Sequence, residues 1–402
     1  MKALTEARAK PVLPFAGVYR LIDFPLSNCV HSGIADVWVV EQFQPHALND
    51  HLLNGRPWDL DRNTGGLRIM PPYTGTDESG WAQGNADAIF RNRRFVREFA
   101  PDLLLVLSAD HVYTLDYRDV VDAHLSRDAT VTMVTTEVPL EQAGRFGTVR
   151  VGDDGRVTGF AYKPDLPSTG TVTTEVFVYD APTLLDTLDA LAAEGGNGDD
   201  GSDDGAKLKD FGHQLLPTLV GEGRAHAFPL PGYWRDLGTI DSYWEGHMDL
   251  LGDDRRLALD DPAWPILTTA SARLPARIAR TADIHGSLVS PGCDVRGTVV
   301  ESVLGPGVVV EEGATIRHSV LLHDTAVRRG ATVAHAIIDR GVDVGPGARV
   351  GAADGANGSR PGIAVVGQRV RLGEGQLVAP GACVDPDMTP RPATAARGRA
   401  ER

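Results

Sequence analysis

Residues 305–350 read GPGVVVEEGATIRHSVLLHDTAVRRGATVAHAIIDRGVDVGPGARV. Four segments in this stretch are variants of one six-residue unit: GPGVVV at 305–310, EEGATI at 311–316, RRGATV at 328–333 and GPGARV at 345–350. Each joins a turn glycine to small or β-branched residues. Glycine recurring this often argues against amphipathic helices. Short strands at a fixed short period suit a parallel β-helix, where each flat side is one strand. A β-sandwich is the alternative. The same texture runs from about 275 to 385, so the reading expects a β-helix domain over 275–385, a linker at 251–274 and a disordered basic tail at 386–402.

Upstream, residues 1–250 alternate strand-like and helix-like segments. ADVWVVEQ (35–42) and DLLLVLSAD (102–110) are short apolar runs ending in polar residues. Leu103 to Leu107 is apolar throughout, as expected of a strand covered on both faces. NADAIFRNRRFVREF (85–99) places Ile89, Phe90, Phe95, Val96 and Phe99 near helical spacing, with Asn85 or Asp87 as its cap. DYRDVVDAHLSRD (116–128) is a second helix, and ATVTMVTTEV (129–138) a further strand. This succession predicts an α/β domain with a Rossmann-like, mixed and mainly parallel sheet. Asp154-Gly155 between alternating runs predicts an antiparallel hairpin decorating that sheet. The acidic, glycine-rich stretch 193–209 is expected to be a flexible loop.

Composition narrows the function. The chain has 402 residues and a formal net charge of −15, from 54 acidic and 39 basic residues. That balance excludes a broad nucleic-acid-binding face but leaves room for a small anionic substrate in a locally basic cleft. No apolar run approaches the roughly 20 residues of a membrane span, and no secretory leader is evident, so a cytoplasmic protein is expected. Cys29, Cys293 and Cys383 are too dispersed for a metal cluster or a disulfide framework.

In an open α/β sheet, ligands bind at the carboxyl ends of strands. SADHVY (108–113) places Asp110 at such an end, and GYWRDLGTIDSYWE (232–245) places Asp236 at another. Two converging carboxylates suit Mg²⁺, which prefers one or two carboxylates plus phosphate oxygens and water. Lys10 and Lys163 each precede a proline, which keeps the backbone extended. Arg8, Arg20 and Arg235 are further candidate cations for phosphates. These groups fit phosphoryl or nucleotidyl transfer, where positioning and charge neutralisation supply most of the catalysis. A phosphate nucleophile is already ionised at pH 7, so no general base is needed, and His111 reads as structural.

Taken in order, LTEARAKPVLPFAGVYRLIDFPLSN (4–28), GNADAIF (84–90), SADHVY, YKP (162–164), KDFGHQLLP (209–217) and GYWRDLGT (232–239) resemble the bacterial glucose-1-phosphate adenylyltransferases, the ADP-glucose pyrophosphorylases. The repeat region resembles that family's left-handed β-helix. The resemblance covers nearly the whole chain. It implies formation of ADP-glucose and pyrophosphate from ATP and glucose 1-phosphate with Mg²⁺, for glycogen or α-glucan synthesis, in a homo-oligomer. It assigns Lys10 to the phosphates and Asp110 and Asp236 to metal binding and catalysis. It assigns Gln42, Gly84, Asn85, Ala86 and Asp87 to the nucleotide. Lys163, with Gly147 and Arg235, falls to the sugar phosphate.

Four departures stand out. The family's strand ending in GGxGxRL precedes its LTxxRAKP, whereas Met1-Lys2-Ala3 abuts LTEARAKP here. That loop supplies backbone N–H groups to phosphates, so a chain starting at Met1 is expected to be a poor catalyst, through a misplaced start or as an impaired regulatory subunit. Tyr162 replaces the Glu of the family's EKP, and Glu175 stands where the family has glycine. Glu175 is therefore expected to reach the sugar hydroxyls that residue 162 does not; a pocket for another sugar 1-phosphate is the alternative. Asn85 replaces the Thr of GTADA. Val18 replaces a lysine linked to activator binding in some members.

Overall fold

The computed structural model describes every residue except 7, 72–81, 196–207, 209, 253–254, 270–271, 353–360 and 387–402. The expected tail therefore lies outside the described residues, apart from Pro386. So does most of the expected loop: residues 193–195 complete the helix Ala181–Gly195, and Leu208 is buried.

By contacts the chain divides into two compact units. One comprises Leu21–Asp236 with Asp260–Thr269, and the other Met1–Arg20, Leu237–Leu259 and Ala270–Arg402. This differs from a division at residue 250: the first twenty residues and the helix Ile240–Met248 group with the repeat region. Hydrogen bonds within that unit explain the grouping. The Arg8 guanidinium donates to Asp339 at 2.8 Å, the Tyr243 hydroxyl donates to the Pro14 carbonyl, and Trp244 Nε1 donates to the His318 carbonyl at 2.8 Å.

The repeat region is a parallel β-helix with three six-stranded walls. Equivalent residues stack from coil to coil, as in the column Val295, Val310, Val327 and Val344. Inward-facing Val, Ile and Leu residues fill its bore as one buried cluster. The turn glycines of EEG and RRG, Gly313 and Gly330, have φ of +77° and +70°, the left-handed region that glycine enters without steric cost.

His247 is fully buried between Phe15 and Tyr243, with ring centroids 4.7 and 4.6 Å away. Its Nδ1–H donates to the Tyr243 carbonyl at 2.8 Å, and its Nε2 has no hydrogen-bond partner among the described residues. Burial pushes its pKa down to about 4. Folding thus disfavours the charged ring, while the unfolded ring takes a proton near pH 6.5. Stability should fall as pH drops through about 6.5, with this contribution levelling off below about 4. The loss of melting temperature between about pH 7 and about pH 4.5 should be smaller in His247→Phe than in the parent.

In the α/β unit the strands, numbered in chain order, are β1 (Asp36–Val40), β2 (Gly66–Met70), β3 (Leu103–Leu107), β4 (His111–Tyr113), β5 (Val131–Glu137), β6 (Gly147–Val151), β7 (Val157–Tyr162), β8 (Thr171–Asp180), β9 (Ala225–Pro229) and β10 (Trp234–Asp236). The main sheet is mixed. β9 pairs parallel to β5, and the long β8 lies between β5 and β3, antiparallel to both. So β3 and β5 run the same way, as the strand–helix–strand reading implies, but β8 separates them. The two-faced character of β3 holds: Leu104 and Val106 pack into one core, and Leu103, Leu105 and Leu107 into another. β6 and β7 form the expected hairpin, with Gly155 at φ +78° in its turn.

Two features of this unit position the chemistry, the first on a separate two-stranded sheet. β4 pairs antiparallel with β10 in the register Tyr113–Trp234, Val112–Arg235, His111–Asp236. And β8 changes register between Thr173 and Phe177, where Glu175 adopts φ +56° and its carbonyl accepts from Ser108 N at 3.0 Å.

Candidate active site

The β4–β10 ladder brings Asp110 and Asp236 together. Asp236 lies opposite His111, and Asp110 immediately precedes it. One oxygen of each carboxylate and His111 Nε2 lie within 4.8 Å of one another. His111 Nε2 is 3.6 Å from Asp110 Oδ1 and 3.7 Å from Asp236 Oδ1. The Ser108 hydroxyl donates to Asp110 Oδ1 at 2.5 Å, and an Arg145 N–H donates to Asp236 Oδ2 at 3.2 Å. Trp234 closes one side, its ring meeting His111 and Phe146 edge-on, each at 5.3 Å between centroids. His111, read from the sequence as structural, thus lies next to both carboxylates. Nothing in a lone histidine after an aspartate announces this; a pairing across more than a hundred residues of sequence creates it.

A second pocket is lined by Asn85, Gly147, Tyr162, Glu175, Asp210 and Phe211, among others. Tyr162 lies against Gly212, where an added Cβ would come within 2.0 Å of the ring. The Tyr162 hydroxyl donates to Asp210 Oδ2 at 2.9 Å. Asn85 N donates to Asp210 Oδ1 at 3.2 Å, and Phe211 N donates to Asn85 Oδ1 at 2.7 Å. Asn85, Tyr162 and Glu175, three positions of departure in sequence, thus line one pocket, and the first two share Asp210. Lys163, at φ +44°, holds its Nζ 4.8 Å from the centre of the Tyr162 ring. Partial burial works against its charge, but Tyr162 and the carboxylates of Glu175 and Asp210 more than offset this and raise its pKa. Partial burial and the bond to Asp210 likewise raise the Tyr162 phenol, against the pull of Lys163, and keep it neutral. A Cβ on Gly147 would come within 2.8 Å of the Phe160 ring, so the position has no room for a side chain.

The remaining expected residues fall as follows. Gln42 Nε2 donates to the Ala82 carbonyl at 3.1 Å, tying the end of β1 to the segment that leads into the helix Asn85–Phe99. Gly84, not Asn85 or Asp87, occupies the helix N-cap, which corrects the sequence reading. Asn85 instead turns its side chain to Phe211, and Asp87 accepts from Gln83 N at 2.9 Å and Arg91 Nε at 3.0 Å. Ala86 is buried in the sheet core. Arg235 Nε donates to the Tyr233 hydroxyl at 3.0 Å. Lys10 belongs to the other compact unit, where it opens the 3₁₀ turn Lys10–Val12 and is half-buried. Arg8 is not available to phosphates: it is buried in its pair with Asp339. Arg20 sits 3.3 Å from His323 Nε2. Asp210 and Arg145 were not anticipated as site residues; the KDFGHQ motif carries the first, and no spacing signal marks the second.

A mixed α/β sheet with paired carboxylates at its strand ends, followed by a hexapeptide β-helix, defines a nucleotidyl transferase, and the Nucleotidyl transferase family model matches residues 1–252. The model for the GlmU-like, C-terminal hexapeptide matches residues 271–367. The chain is 41% identical over 316 residues to a glucose-1-phosphate adenylyltransferase of Thermotoga sp. (strain RQ2), covering 78% of this chain and 72% of the relative. It is 38% identical over 319 residues to that of Bacillus thuringiensis (strain Al Hakam), covering 79% and 82%. For that of Clostridium acetobutylicum the figures are 39% over 308 residues, covering 76% and 78%. The chain belongs to the glucose-1-phosphate adenylyltransferase family. Its β-helix is of the left-handed hexapeptide type. Enzymes of this class generally use a divalent metal, and Asp110, His111 and Asp236 form a cluster able to hold one. Among the described residues no helix is long and apolar enough to cross a membrane.

Proposed function

We propose that this protein joins glucose 1-phosphate to the α-phosphate of ATP, forming ADP-glucose and releasing pyrophosphate, in the cytoplasm and for α-glucan synthesis. The observation that carries the reading is the convergence of Asp110 and Asp236 on one point in a chain of this family.

Two carboxylates with an imidazole nitrogen beside them are a donor set that fits a divalent cation. Asp110 and Asp236 would hold Mg²⁺, which supplies charge neutralisation to the phosphates when bound. The rest falls to the chain's own groups. A phosphate oxygen of the sugar phosphate attacks the α-phosphorus, the bond to the bridging oxygen breaks, and pyrophosphate leaves. Lys163, kept charged by its neighbours, holds the sugar phosphate in line for attack, and the family resemblance adds Arg235 and Gly147 to that subsite. Lys10 is assigned to the ATP phosphates by the family resemblance alone. Gln42 and the Gly84–Asp87 turn hold the nucleotide at the positive end of a fifteen-residue helix. Terminal coils of a repeat stack need cover, which supports self-association into a homo-oligomer.

A pyrophosphate-release assay across nucleoside triphosphates and sugar 1-phosphates tests the reading. ATP with glucose 1-phosphate should give the highest kcat/KM. No release with any pair, or a clear preference for dTTP, contradicts it.

Glu175 takes the sugar hydroxyls. It lines the pocket, lies close enough to Lys163 to strengthen its charge, and is held in a backbone conformation that a glutamate enters only at a cost. Glu175→Gln should raise KM for glucose 1-phosphate by about tenfold, the loss of one charge-assisted hydrogen bond, and leave KM for ATP unchanged. An unchanged KM for glucose 1-phosphate removes Glu175 from the sugar site.

A further inference from the structure

We propose that the space between β1 and β3 is a slot for one more strand. It accepts an extended apolar segment of a separate polypeptide, which pairs with an open sheet edge on each side. The inference stands on the sheet alone and is independent of the reaction proposed above.

Both strands are built like interior strands, yet each has a single ladder. β3 (LLLVL) is apolar throughout and pairs with β8; β1 (DVWVV) pairs with β2. No ladder joins β1 to β3 among the described residues. The bonds that are made show which polar groups face the open sides. Ala181 N donates to the Asp102 carbonyl and Ser108 N to the Glu175 carbonyl, so the even-numbered residues of β3 bond to β8. Leu103, Leu105 and Leu107 then direct their N–H and C=O groups away from it. Gly66 N donates to the Ala35 carbonyl and Glu41 N to the Met70 carbonyl, so Asp36, Trp38 and Val40 direct theirs away from β2. Among the described residues, none of these groups has a backbone partner on its open side.

The same two layers cover both strands. On one face, Val37 of β1 and Leu103, Leu105 and Leu107 of β3 pack against the cluster that holds Cys29, Tyr113 and Tyr117. On the other, the helix Asn85–Phe99 reaches both. Its Phe99 meets Trp38 with ring centroids 5.5 Å apart, and its Ile89 and Phe90 share a cluster with Leu104 and Val106. Strands of one layer that do not pair stand further apart than a ladder allows, and one strand between two ladders spans roughly 10 Å. Exposure marks the space. Val176, Phe177, Val178 and Tyr179 of β8 are at most 3% exposed, whereas all five residues of the equally apolar β3 are only half-buried.

Chemistry names the occupant. Two rows of open N–H and C=O groups call for a partner that offers both along both sides, and an extended peptide does so. Both faces are apolar, so its successive residues are apolar, and its edges tolerate no proline. Exposed edges ordinarily carry charge or proline against such pairing; Val37–Val40 and Leu103–Leu107 carry neither. The chain's longer stretches outside the described residues do not fit: 72–81, 196–207, 353–360 and 387–402 contain no three successive apolar residues. The strand is therefore assigned to another polypeptide.

The test follows amide hydrogen exchange of the full chain at single-residue resolution, with and without a peptide carrying Val-Ile-Val-Leu-Val between lysine pairs. Without peptide, the amides of Leu103, Leu105 and Leu107 should exchange at least about a hundredfold faster than those of Leu104 and Val106. The peptide should slow them, and those of Trp38 and Val40, by about the same factor, and raise the melting temperature with the logarithm of its concentration. The same peptide with proline at its centre should do neither. Val40→Pro removes an N–H of the open edge and none of the β1–β2 ladder. It should melt with the parent and bind the peptide about tenfold more weakly. Equal protection of Leu104 and Leu105 without peptide means that the slot is already filled and overturns the proposal, whether or not the variant folds. A peptide that does not bind, or a proline peptide that binds as well, overturns it too. Protection that arises only as protein concentration is raised assigns the slot to a second copy and overturns the separate polypeptide as occupant.

Discussion

Asp110→Asn is expected to lower kcat for pyrophosphate release by about three orders of magnitude, close to 4 kcal/mol of transition-state stabilisation. The substitution keeps the shape and leaves an oxygen for the Ser108 hydroxyl, so what it removes is charge. In the proposed reaction both reactants are anionic and meet at this point, so the charge matters. With one carboxylate gone, a bound cation is held more weakly and the charge growing on the leaving pyrophosphate is less well compensated. The side chain is about one-fifth exposed and sits at a strand end, outside either buried core, so melting temperature should change little. Retention of more than about a tenth of the parent rate would remove Asp110 from the chemistry.

Asp339→Ala is expected to destabilise the β-helix unit by about 3–5 kcal/mol, read as a lower urea midpoint. Arg8 is buried, and its guanidinium reaches both oxygens of Asp339 at 2.8 Å while Nε donates to the Leu4 carbonyl at 3.0 Å. Asp339 also accepts from Arg340 N at 2.6 Å. Truncation strands a buried guanidinium and a backbone N–H together. Arg8→Met combined with Asp339→Leu should recover much of the loss, because apolar side chains of similar volume need no counter-charge. If Asp339→Ala unfolds with the parent, the pair contributes nothing and the grouping of the first twenty residues with the repeat region has another cause.

How much of this was legible in sequence follows the range of the interactions. The β-helix is local: each coil repeats a turn glycine and an inward valine, so the pattern stands in the sequence at a period of six. Asp110 and Asp236 were visible because each ends a strand-like run. Sequence order could not show that β8 returns between β3 and β5, since that neighbour arrives after an intervening hairpin. His111 was hidden for the same reason: it enters the site only through a ladder with residues 234–236. The Asn85–Asp210–Tyr162 network joins positions up to 125 residues apart and carries no spacing signal. Arg8 looked like a phosphate ligand because a lone arginine near a lysine-proline says nothing about an aspartate 331 positions away.

The most direct measurement is formation of labelled ADP-glucose from α-³²P-ATP and glucose 1-phosphate with Mg²⁺, compared across the parent, Asp110→Asn, Asp236→Asn and the double variant. If the two carboxylates share one ion, each single change costs about a thousandfold and the double costs no more than about threefold beyond either. Losses that multiply in the double variant, or single variants that keep the parent rate, would show that these side chains do not work as one centre.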